Sequence, residues 1–472
     1  MSREWTQRLK YILGDLATAH VAWLLYNCMR YALGGVRWAN TLVDFLLSER
    51  VVVGQVLFPL LMLGVYCLSG YYNEVFRKSR LSELVVTFFS SIINTMIIFI
   101  IALTNDLMSN SLSYNYEIIF ILFALIFVFT YAVRVLFTSR ISYMIKNRQL
   151  RFRTLVVGAG TAATAFVDKL EKMHLSLGYE VVGFVNIPGE STSPGKAHRV
   201  YQLDRIAEVC EREMVKELIV VPTKNDTAAI METIDRLFKL NLPIKMTPDR
   251  YNILLSKARL SDLSGDPLMD ISGSSMSDGE KNMKRAFDFA LSAAMLVLLI
   301  PVYLTVAILI KLDSKGPVIY SQQRLGRHNV PFKIYKFRSM YNDAEAKGQP
   351  RLSSDDDPRI TKLGHVLRKF RIDELPQFWN VLRGDLSLVG PRPERQHFAQ
   401  QILEREPAYS LIHQVRPGIT SMGMVKFGYA KNVDEMLERL RYDLLYLDNM
   451  SLLNDLKIMV YTIKIVFKGR GL

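Results

Sequence analysis

The chain has 472 residues and a formal net charge of +14, and half of its residues are hydrophobic. This composition excludes an intrinsically disordered protein and provides material for two or three domains. A fully soluble chain this apolar would expose large adhesive patches, while 22% charged residues are many for a polytopic transporter. The composition therefore indicates a protein with one membrane part and one soluble part.

The positive charge is compatible with two kinds of partner, nucleic acid and anionic lipid headgroups. Long apolar segments accompany the charge, so we predict a membrane surface and no nucleic acid. The cysteines are too few and too scattered for a disulfide framework or a zinc site; they are Cys28, Cys67 and Cys210. The seven histidines show no metal-ligand spacing.

Four apolar stretches occupy the first third of the chain, at residues 11–33, 51–71, 84–103 and 118–137. Each has about the 20 residues that a membrane-spanning helix needs, which predicts a four-helix transmembrane bundle. Lys and Arg precede the first stretch and follow the second and fourth, whereas the loop after the third has none. The positive-inside rule therefore predicts that the N-terminus and everything after Arg140 are cytoplasmic.

A glycine-rich turn follows a buried-strand pattern at residues 154–157. The turn reads Gly158-Ala159-Gly160-Thr161-Ala162-Ala163 and leads into a helical stretch, which matches the dinucleotide fingerprint of a Rossmann-like domain. Further strands are predicted at 181–185, 217–221 and 243–246. Gly158 and Gly160 suit a regulatory nucleotide site or simply close packing of strand and helix, and the sequence leaves both open. No Tyr-x-x-x-Lys pair follows, which argues against dehydratase or epimerase chemistry.

A long apolar segment at residues 289–312 is interrupted by Pro301 and has Lys and Arg on both flanks. Basic flanks favour a cytoplasmic position for both ends, and Pro301 removes a main-chain hydrogen bond at mid-segment. These features predict a re-entrant membrane hairpin over 284–312. A fifth ordinary span with a kink is the alternative.

Two adjacent carboxylates, Asp373 and Glu374, lie among many cations in the last third of the chain. Guanidinium groups bind phosphate oxygens bidentately, and carboxylates hold magnesium or attack phosphorus. The cations expected to bind substrate phosphate are Lys336, Arg338, Arg368, Arg392 and Arg416. This mixture suits a site that handles a diphosphate.

The chain from Lys284 onwards resembles the monotopic phosphoglycosyl transferases, also called the bacterial sugar transferase family. The resemblance is carried by Lys336-Phe337-Arg338-Ser339-Met340, by Asp373-Glu374-Leu375-Pro376-Gln377, and by the long run that begins Asn380-Val381-Leu382-Arg383-Gly384-Asp385 and ends Pro391-Arg392-Pro393-Glu394. With its four-span front and Rossmann-like middle, the whole chain is similar to the large members of that family. Some relatives have a serine before the hairpin proline, where this chain has Ile300.

The resemblance implies a function and roles for the two carboxylates. Asp373 is expected to be the nucleophile, and Glu374 an acid/base or a ligand, with Asp373, of Mg²⁺. The reaction is the transfer of a sugar-1-phosphate from a nucleotide-diphosphate sugar, expected to be a UDP-hexose, to polyprenyl phosphate through a covalent aspartyl intermediate. It is the first membrane step of capsule, O-antigen or exopolysaccharide synthesis.

The fold class expected is membrane α plus α/β. It comprises a four-span transmembrane domain at 1–150, a Rossmann-like domain at 151–260, a linker at 261–280, and a mostly helical catalytic domain at 281–472 with the hairpin at 284–312. The location expected is the bacterial inner membrane, with the catalytic domain on its cytoplasmic face and a homodimer left open.

Two rival functions remain at this point: a membrane-bound nucleotide-sugar dehydratase or epimerase, and a membrane scaffold that senses nucleotides. Bound NAD would favour the first. The second leaves the Asp373 region unexplained.

Overall fold

The computed structural model describes residues 3–33, 38–104, 112–173, 176–187, 199–221, 227–247, 269–270, 275–341 and 357–467. The chain divides into two compact units. The first comprises Met1–Leu150 and Ser277–Met283, and the second comprises Arg151–Met276 and Lys284–Leu472.

The first unit is helical. Its helices are α1 (Arg3–Ala32), α2 (Leu42–Leu46), α3 (Glu49–Leu68), α4 (Arg80–Thr104) and α5 (Leu112–Lys146). Within the described residues, three of these helices, α3, α4 and α5, are long and apolar enough to cross a membrane. The four long helices coincide with the four predicted apolar stretches.

Helix α1 does not meet the same criterion of length and apolarity. Polar residues interrupt its apolar stretch, and two of them, Asp15 and Asn27, are buried inside the unit. The first of the four predicted spans therefore stays a prediction, while three apolar helices are present.

A buried ionic network connects the long helices. Arg134 of α5 is fully buried and donates hydrogen bonds to both carboxylate oxygens of Asp15 on α1, at 2.9 and 2.7 Å. It also donates to Thr87 of α4 at 3.0 Å, and the Tyr72 hydroxyl donates to Asp15 at 2.6 Å. The Arg134 guanidinium lies 4.0 Å from the ring centre of Tyr66 on α3. Since a buried charge is costly unless it is paired and hydrogen-bonded, this network fixes how the helices meet.

The second unit begins with a six-stranded sheet in the order β3-β2-β1-β4-β5-β6. Its strands are β1 (Phe152–Val157), β2 (Tyr179–Asn186), β3 (Val200–Gln202), β4 (Glu217–Val220), β5 (Ile244–Met246) and β6 (Met269–Asp270). The first five run parallel, and β6 is antiparallel to β5. The helices that accompany the sheet are α6 (Thr161–Lys172), α7 (Ile206–Arg212) and α8 (Thr227–Phe238).

Strand β1 is buried on both faces, as expected for a central parallel strand. Leu155 and Val157 enter one apolar core, and Val156 enters the other. The four predicted strands are all present, and the order 3-2-1-4-5 is that of a Rossmann-like fold.

Two helices follow the sheet domain: α9 (Asp278–Leu298) and α10 (Ile300–Asp313). They meet at Leu299 with a bend of 61°. Pro301 is in the first turn of α10, where its missing N–H costs nothing and its ring stops α9 from continuing. Val297, Leu298 and Leu304 around the bend are 67%, 72% and 61% exposed, so an apolar surface surrounds the break.

Within the described residues, the rest of the unit is mostly helical and also contains four strands. Its strands are β7 (Ile319–Leu325) and β8 (Pro331–Phe337), which form an antiparallel hairpin, and β9 (Ser387–Val389) and β10 (Gly418–Thr420), which pair in parallel. Its helices are α11 (Lys362–Lys369), α12 (Gln377–Arg383), α13 (Gln396–Arg405), α14 (Met422–Lys426), α15 (Val433–Asp448) and α16 (Leu452–Phe467).

The predicted domain boundaries at 260 and 280 enclose the predicted linker. Most of the predicted linker at 261–280 lies outside the described residues. These boundaries stay predictions.

We expect Arg134→Leu to destabilise the first unit by about 3–5 kcal/mol, because it leaves the Asp15 carboxylate buried without its cation. The double variant Arg134→Leu/Asp15→Asn removes both charges and should recover a large part of that loss. Thermal unfolding in detergent checks this, with Arg140→Leu, an exposed arginine on the same helix, as the control. Equal destabilisation by the single and double variants would contradict the role given to the ion pair.

Candidate active site

The two carboxylates lie in a tight turn between α11 and α12. Residues Ile372–Glu374 form one 3₁₀ turn, and both Asp373 and Glu374 are buried. The turn is closed by the Glu374 N–H, which donates to the Arg371 carbonyl at 3.2 Å. Helix α12 begins directly after Pro376, so the dyad is held between two helices.

Glu374 is surrounded by hydrogen-bond donors and cations. Lys336 Nζ donates to its Oε1 at 2.8 Å, the Tyr429 hydroxyl donates to the same oxygen at 3.4 Å, and Arg392 Nη2 lies 3.8 Å away. Burial by itself raises the pKa of Glu374, but the cations, Lys336 first, hold that pKa well below its usual range. Glu374 is therefore ionised at neutral pH.

Asp373 is in a different state. Within the described part of the chain, no donor makes a hydrogen bond to its carboxylate and no cation lies within ion-pair distance. Burial raises the pKa of Asp373 to about 6, Lys336 opposes that rise, and the neighbouring Glu374 adds to it. The two adjacent carboxylates therefore differ. Glu374 accepts hydrogen bonds and lies beside cations, whereas Asp373 has neither a hydrogen-bond donor nor an ion-pair partner among the described residues.

Lys336 lies on strand β8, and the buried side-chain amide of Asn380 holds this strand in place. Asn380 of α12 is fully buried; it accepts from the Tyr335 N–H at 3.0 Å and donates to the Lys333 carbonyl at 2.7 Å. The Asn380 side chain thus makes the main-chain hydrogen bonds that a neighbouring strand would otherwise make with this edge of β8. This arrangement holds Lys336 against Glu374.

Two of the predicted phosphate-binding arginines are brought near the dyad. Arg368, in the last turn of α11, donates from Nε to Ser339 at 2.9 Å, and its charge lowers the pKa of Asp373. Arg392 follows β9, where Gly390 is required because a Cβ atom there would lie 2.4 Å from the Arg416 carbonyl. Lys336, Arg368 and Arg392 therefore share one site with the carboxylates.

Arg338 has a different position from the one expected. It is buried, and its guanidinium donates to the main-chain carbonyls of Lys315 at 2.6 Å and Ser314 at 2.7 Å. These carbonyls lie directly after the C-terminus of α10, where a cation is favourable. Its role is to anchor the end of α10, which corrects the expectation of phosphate contact.

Arg416 is also placed elsewhere. Its Nε donates to the Gly384 carbonyl at 2.9 Å, beyond the C-terminus of α12, and its electrostatic neighbours are Arg327, Arg285 and Asp288. It is not among the largest influences on the pKa of either dyad carboxylate. None of the contacts among the described residues joins Arg416 to the dyad, so its phosphate-binding role stays a prediction.

The two limbs of the bent helix pair both contact this domain. On α9, Lys284 donates to the Val389 carbonyl at 2.9 Å, and Ser387 donates to Asp288 at 2.6 Å. On α10, the Tyr303 hydroxyl donates to the Leu375 carbonyl at 2.8 Å, one residue after the dyad. Both limbs are therefore packed on the elements that carry the site.

Sequence reasoning missed two side chains at the site, Tyr429 and Arg371. Tyr429 lies between α14 and α15, 55 residues from Glu374, and no local pattern connects the two. Arg371 lies two residues before Asp373, and its position within a basic run was the available signal.

The described residues contain no group of three or more His, Cys, Asp or Glu side chains placed to hold a metal ion. A magnesium ion that uses one or two carboxylates and completes its shell with substrate phosphates does not need such a group. The free oxygens of Asp373 beside Glu374 fit that second mode.

The glycine turn of the sheet domain shows why glycine is needed there. Gly158 has φ +120°, and a Cβ atom on it would lie 2.2 Å from the Val221 carbonyl oxygen. Gly160 is the N-cap of α6. Close packing therefore accounts for Gly158, and a nucleotide at Gly158 and Gly160 stays a prediction. Strand β2 ends at Asn186, where a dinucleotide site usually has an acidic residue for the ribose.

A family model described as bacterial sugar transferase matches residues 279–469. A UDP-N-acetylgalactosamine-undecaprenyl-phosphate N-acetylgalactosaminephosphotransferase of Aeromonas hydrophila is 44% identical over 189 residues, which cover 40% of this chain and 44% of that protein. The chain thus spans less than half of that relative's length.

Longer matches extend beyond the catalytic part. The UDP-glucose:undecaprenyl-phosphate glucose-1-phosphate transferase of Escherichia coli (strain K12) is 31% identical over 329 residues, 69% of each chain. The UDP-galactose-lipid carrier transferase of Erwinia amylovora is 25% identical over 445 residues, 87% of each chain. The match to the Escherichia coli protein covers more than two thirds of that protein at more than 30% identity, and the family model matches the last part of the chain. The chain therefore belongs to the bacterial sugar transferase family.

Proposed function

We propose that this protein transfers a sugar-1-phosphate from a UDP-sugar to undecaprenyl phosphate and releases UMP. The observation that carries the proposal is the asymmetric dyad, in which Glu374 is engaged by Lys336 while Asp373 has no hydrogen-bond donor among the described residues. An unengaged carboxylate beside several cations suits nucleophilic attack on an anionic phosphorus centre. The names of the relatives, which are sugar phosphotransferases acting on undecaprenyl phosphate, support it.

The reaction has two displacement steps. An Asp373 oxygen attacks the phosphorus that bears the sugar, the bond from that phosphorus to the UMP oxygen breaks, and UMP leaves with the bonding electron pair. An oxygen of the lipid phosphate then attacks the same phosphorus, and the aspartyl–phosphorus bond breaks. The Asp373 carboxylate is regenerated, so atoms and charges balance over the cycle.

The cations make this attack possible because nucleophile and substrate are both anionic. Lys336, Arg368 and Arg392 offset the repulsion and position the phosphate oxygens. Glu374 is ionised and fixed by Lys336, so it acts as a base or a ligand rather than as a proton donor.

Mg²⁺ is part of the proposal. Asp373 and Glu374 would hold it together with substrate phosphates, and the ion would neutralise charge that develops on the phosphoryl oxygens.

The membrane placement follows from the contacts of α9 and α10. Both limbs pack on one domain, and the apolar residues around the bend are exposed. We infer a re-entrant hairpin that enters the cytoplasmic leaflet of the inner membrane and places the dyad at headgroup depth. A multi-pass N-terminal domain with four spans completes the topology, and a homodimer stays a prediction.

The sugar is left open by the relatives, which are named for N-acetylgalactosamine, glucose and galactose. The product is the first lipid-linked sugar of a capsule, O-antigen or exopolysaccharide. Asn186 lies at the end of β2, where a dinucleotide site usually has an acidic residue, and this argues against a dehydratase or epimerase. A scaffold function would not account for the cations around Asp373.

We expect Asp373→Asn to lower UMP release by on the order of 10³-fold or more, because the amide cannot attack phosphorus. The measurement is UMP release from a panel of UDP-sugars with undecaprenyl phosphate and magnesium. Asp434→Asn, which removes an exposed carboxylate, is the matched control. Full turnover by Asp373→Asn would contradict the proposed nucleophile.

The rate of the first step should rise with pH through about 6, because Asp373 must be ionised and its pKa is raised to about 6. Lys336 is the largest influence that lowers this pKa, so Lys336→Met should move the acid limb to higher pH by about one unit. Lys333→Met, on the same strand and exposed, should leave the limb in place. The pH profiles are compared at one fixed, saturating magnesium concentration, and an unchanged limb in Lys336→Met would refute this account.

Single cysteines in a background without Cys28, Cys67 and Cys210 test the hairpin. Met283→Cys and Ser314→Cys flank the predicted hairpin at 284–312, and both should react with a membrane-impermeant maleimide only from the cytoplasmic side. Asn40→Cys, between the first two predicted spans, should react only from the opposite side. Reaction of the two flanking cysteines from opposite sides would establish a span in place of the hairpin.

A further inference from the structure

Arg371 has neither a hydrogen-bond acceptor nor an ion-pair partner for its guanidinium among the described residues, whereas each of the other three cations around the dyad has one or the other. It is 8% exposed, its Nε is buried without a partner, and no oxygen of the described residues accepts a hydrogen bond from its guanidinium. Lys336 and Arg368, by contrast, both donate to side chains. A buried guanidinium without acceptors is unfavourable unless a ligand supplies them.

The main chain at Arg371 adds a second unusual feature. Its φ is +53°, in the left-handed region that glycine and asparagine occupy at lower cost. Neither the backbone conformation nor a hydrogen bond within the described residues therefore accounts for an arginine here.

Arg371 and Arg392 both contact the ring of Tyr429. The guanidinium carbons of the two arginines lie 5.1 and 5.0 Å from the centre of the Tyr429 ring. These distances are within the range of cation–π attraction. The Tyr429 hydroxyl also donates to Glu374 at 3.4 Å, so the ring is fixed relative to the dyad.

The charges at the site leave an excess for a ligand. Four cations act on the dyad, namely Lys336, Arg368, Arg371 and Arg392, against the two carboxylates. With both carboxylates ionised, two positive charges are uncompensated. A nucleotide-sugar diphosphate carries one negative charge on each of its two phosphoryl groups and would offset this positive charge, to which a Mg²⁺ ion on the carboxylates would add.

We propose that Arg371 binds a phosphate oxygen of the donor diphosphate, and that Tyr429 holds Arg371 and Arg392 as a pair for this purpose. This inference rests on the proposed function. The lipid phosphate offers the same chemistry, but it brings one phosphoryl group rather than two. Two guanidinium groups at the site can each bind an oxygen of a different phosphoryl group, which favours the diphosphate.

The test uses the full-length protein in detergent and two readouts. The first is binding of UDP by calorimetry, which needs no turnover. The second is the pair of KM values, one for the UDP-sugar and one for undecaprenyl phosphate. Arg371→Gln should weaken UDP binding and raise the donor KM by about tenfold, with the lipid KM unchanged. Arg405→Gln, an exposed arginine paired with Asp434, is the matched control and should change neither value.

A second pair of variants separates the ring from the hydroxyl. Tyr429→Leu removes the surface that holds both guanidinium groups and should weaken UDP binding by about tenfold. Tyr429→Phe keeps the ring and should weaken UDP binding much less. If Arg371→Gln fails to fold, as judged by thermal unfolding, this pair decides the question.

Unchanged UDP binding and donor KM in a folded Arg371→Gln variant would overturn the inference, as would equal effects of Tyr429→Phe and Tyr429→Leu. An increase confined to the lipid KM would overturn the donor assignment and assign Arg371 to the lipid phosphate. A wild-type protein that binds UDP but transfers no sugar phosphate to the lipid would contradict the proposed function alone, because UDP binding still tests Arg371.

Discussion

Two adjacent carboxylates buried in one tight turn repel each other, and the arrangement of the site follows from that repulsion. Burial and mutual repulsion would together drive at least one of them to bind a proton. Lys336, which lies 2.8 Å from Glu374, offsets this penalty for Glu374 together with Arg392 and Arg371, while Asp373 has no hydrogen-bond donor among the described residues. The asymmetry between Asp373 and Glu374 therefore follows from where these cations lie.

The surrounding elements serve to hold that lysine and its companions in place. Asn380 attaches β8 to α12, so the main chain that carries Lys336 cannot move away from the dyad without breaking two hydrogen bonds. Arg338, the residue directly after β8, donates hydrogen bonds to the main-chain carbonyls that follow α10 and so fixes the end of that helix. The bent helix pair of α9 and α10 is thus part of the same packed structure as the dyad, and Tyr303 contacts the carbonyl of Leu375 directly. A movement of this helix pair would therefore act on the geometry of the site through these contacts.

The sequence predicted the features that local patterns determine. Apolar stretches of membrane length, the strand–turn–helix at Gly158, and the adjacent carboxylates all depend on neighbouring residues. Three of the five predicted phosphate-binding cations lie near the dyad. The other two, Arg338 and Arg416, bind main-chain carbonyls, and a basic residue in a motif gives no sign of whether its acceptor will be substrate or a helix end. Contacts between distant segments, such as Tyr429 with Glu374 or Arg134 with Asp15, arise only from the tertiary fold.

The central claim is that Asp373 carries the phosphosugar between the two substrates. The most direct measurement is mass spectrometry of the protein after incubation with its UDP-sugar and magnesium without lipid, followed by peptide mapping. The account predicts an added sugar phosphate on the peptide that contains Asp373, absent from Asp373→Asn and discharged by undecaprenyl phosphate. A wild-type protein that turns over both substrates yet never carries the adduct, or an adduct that persists in Asp373→Asn, would contradict it.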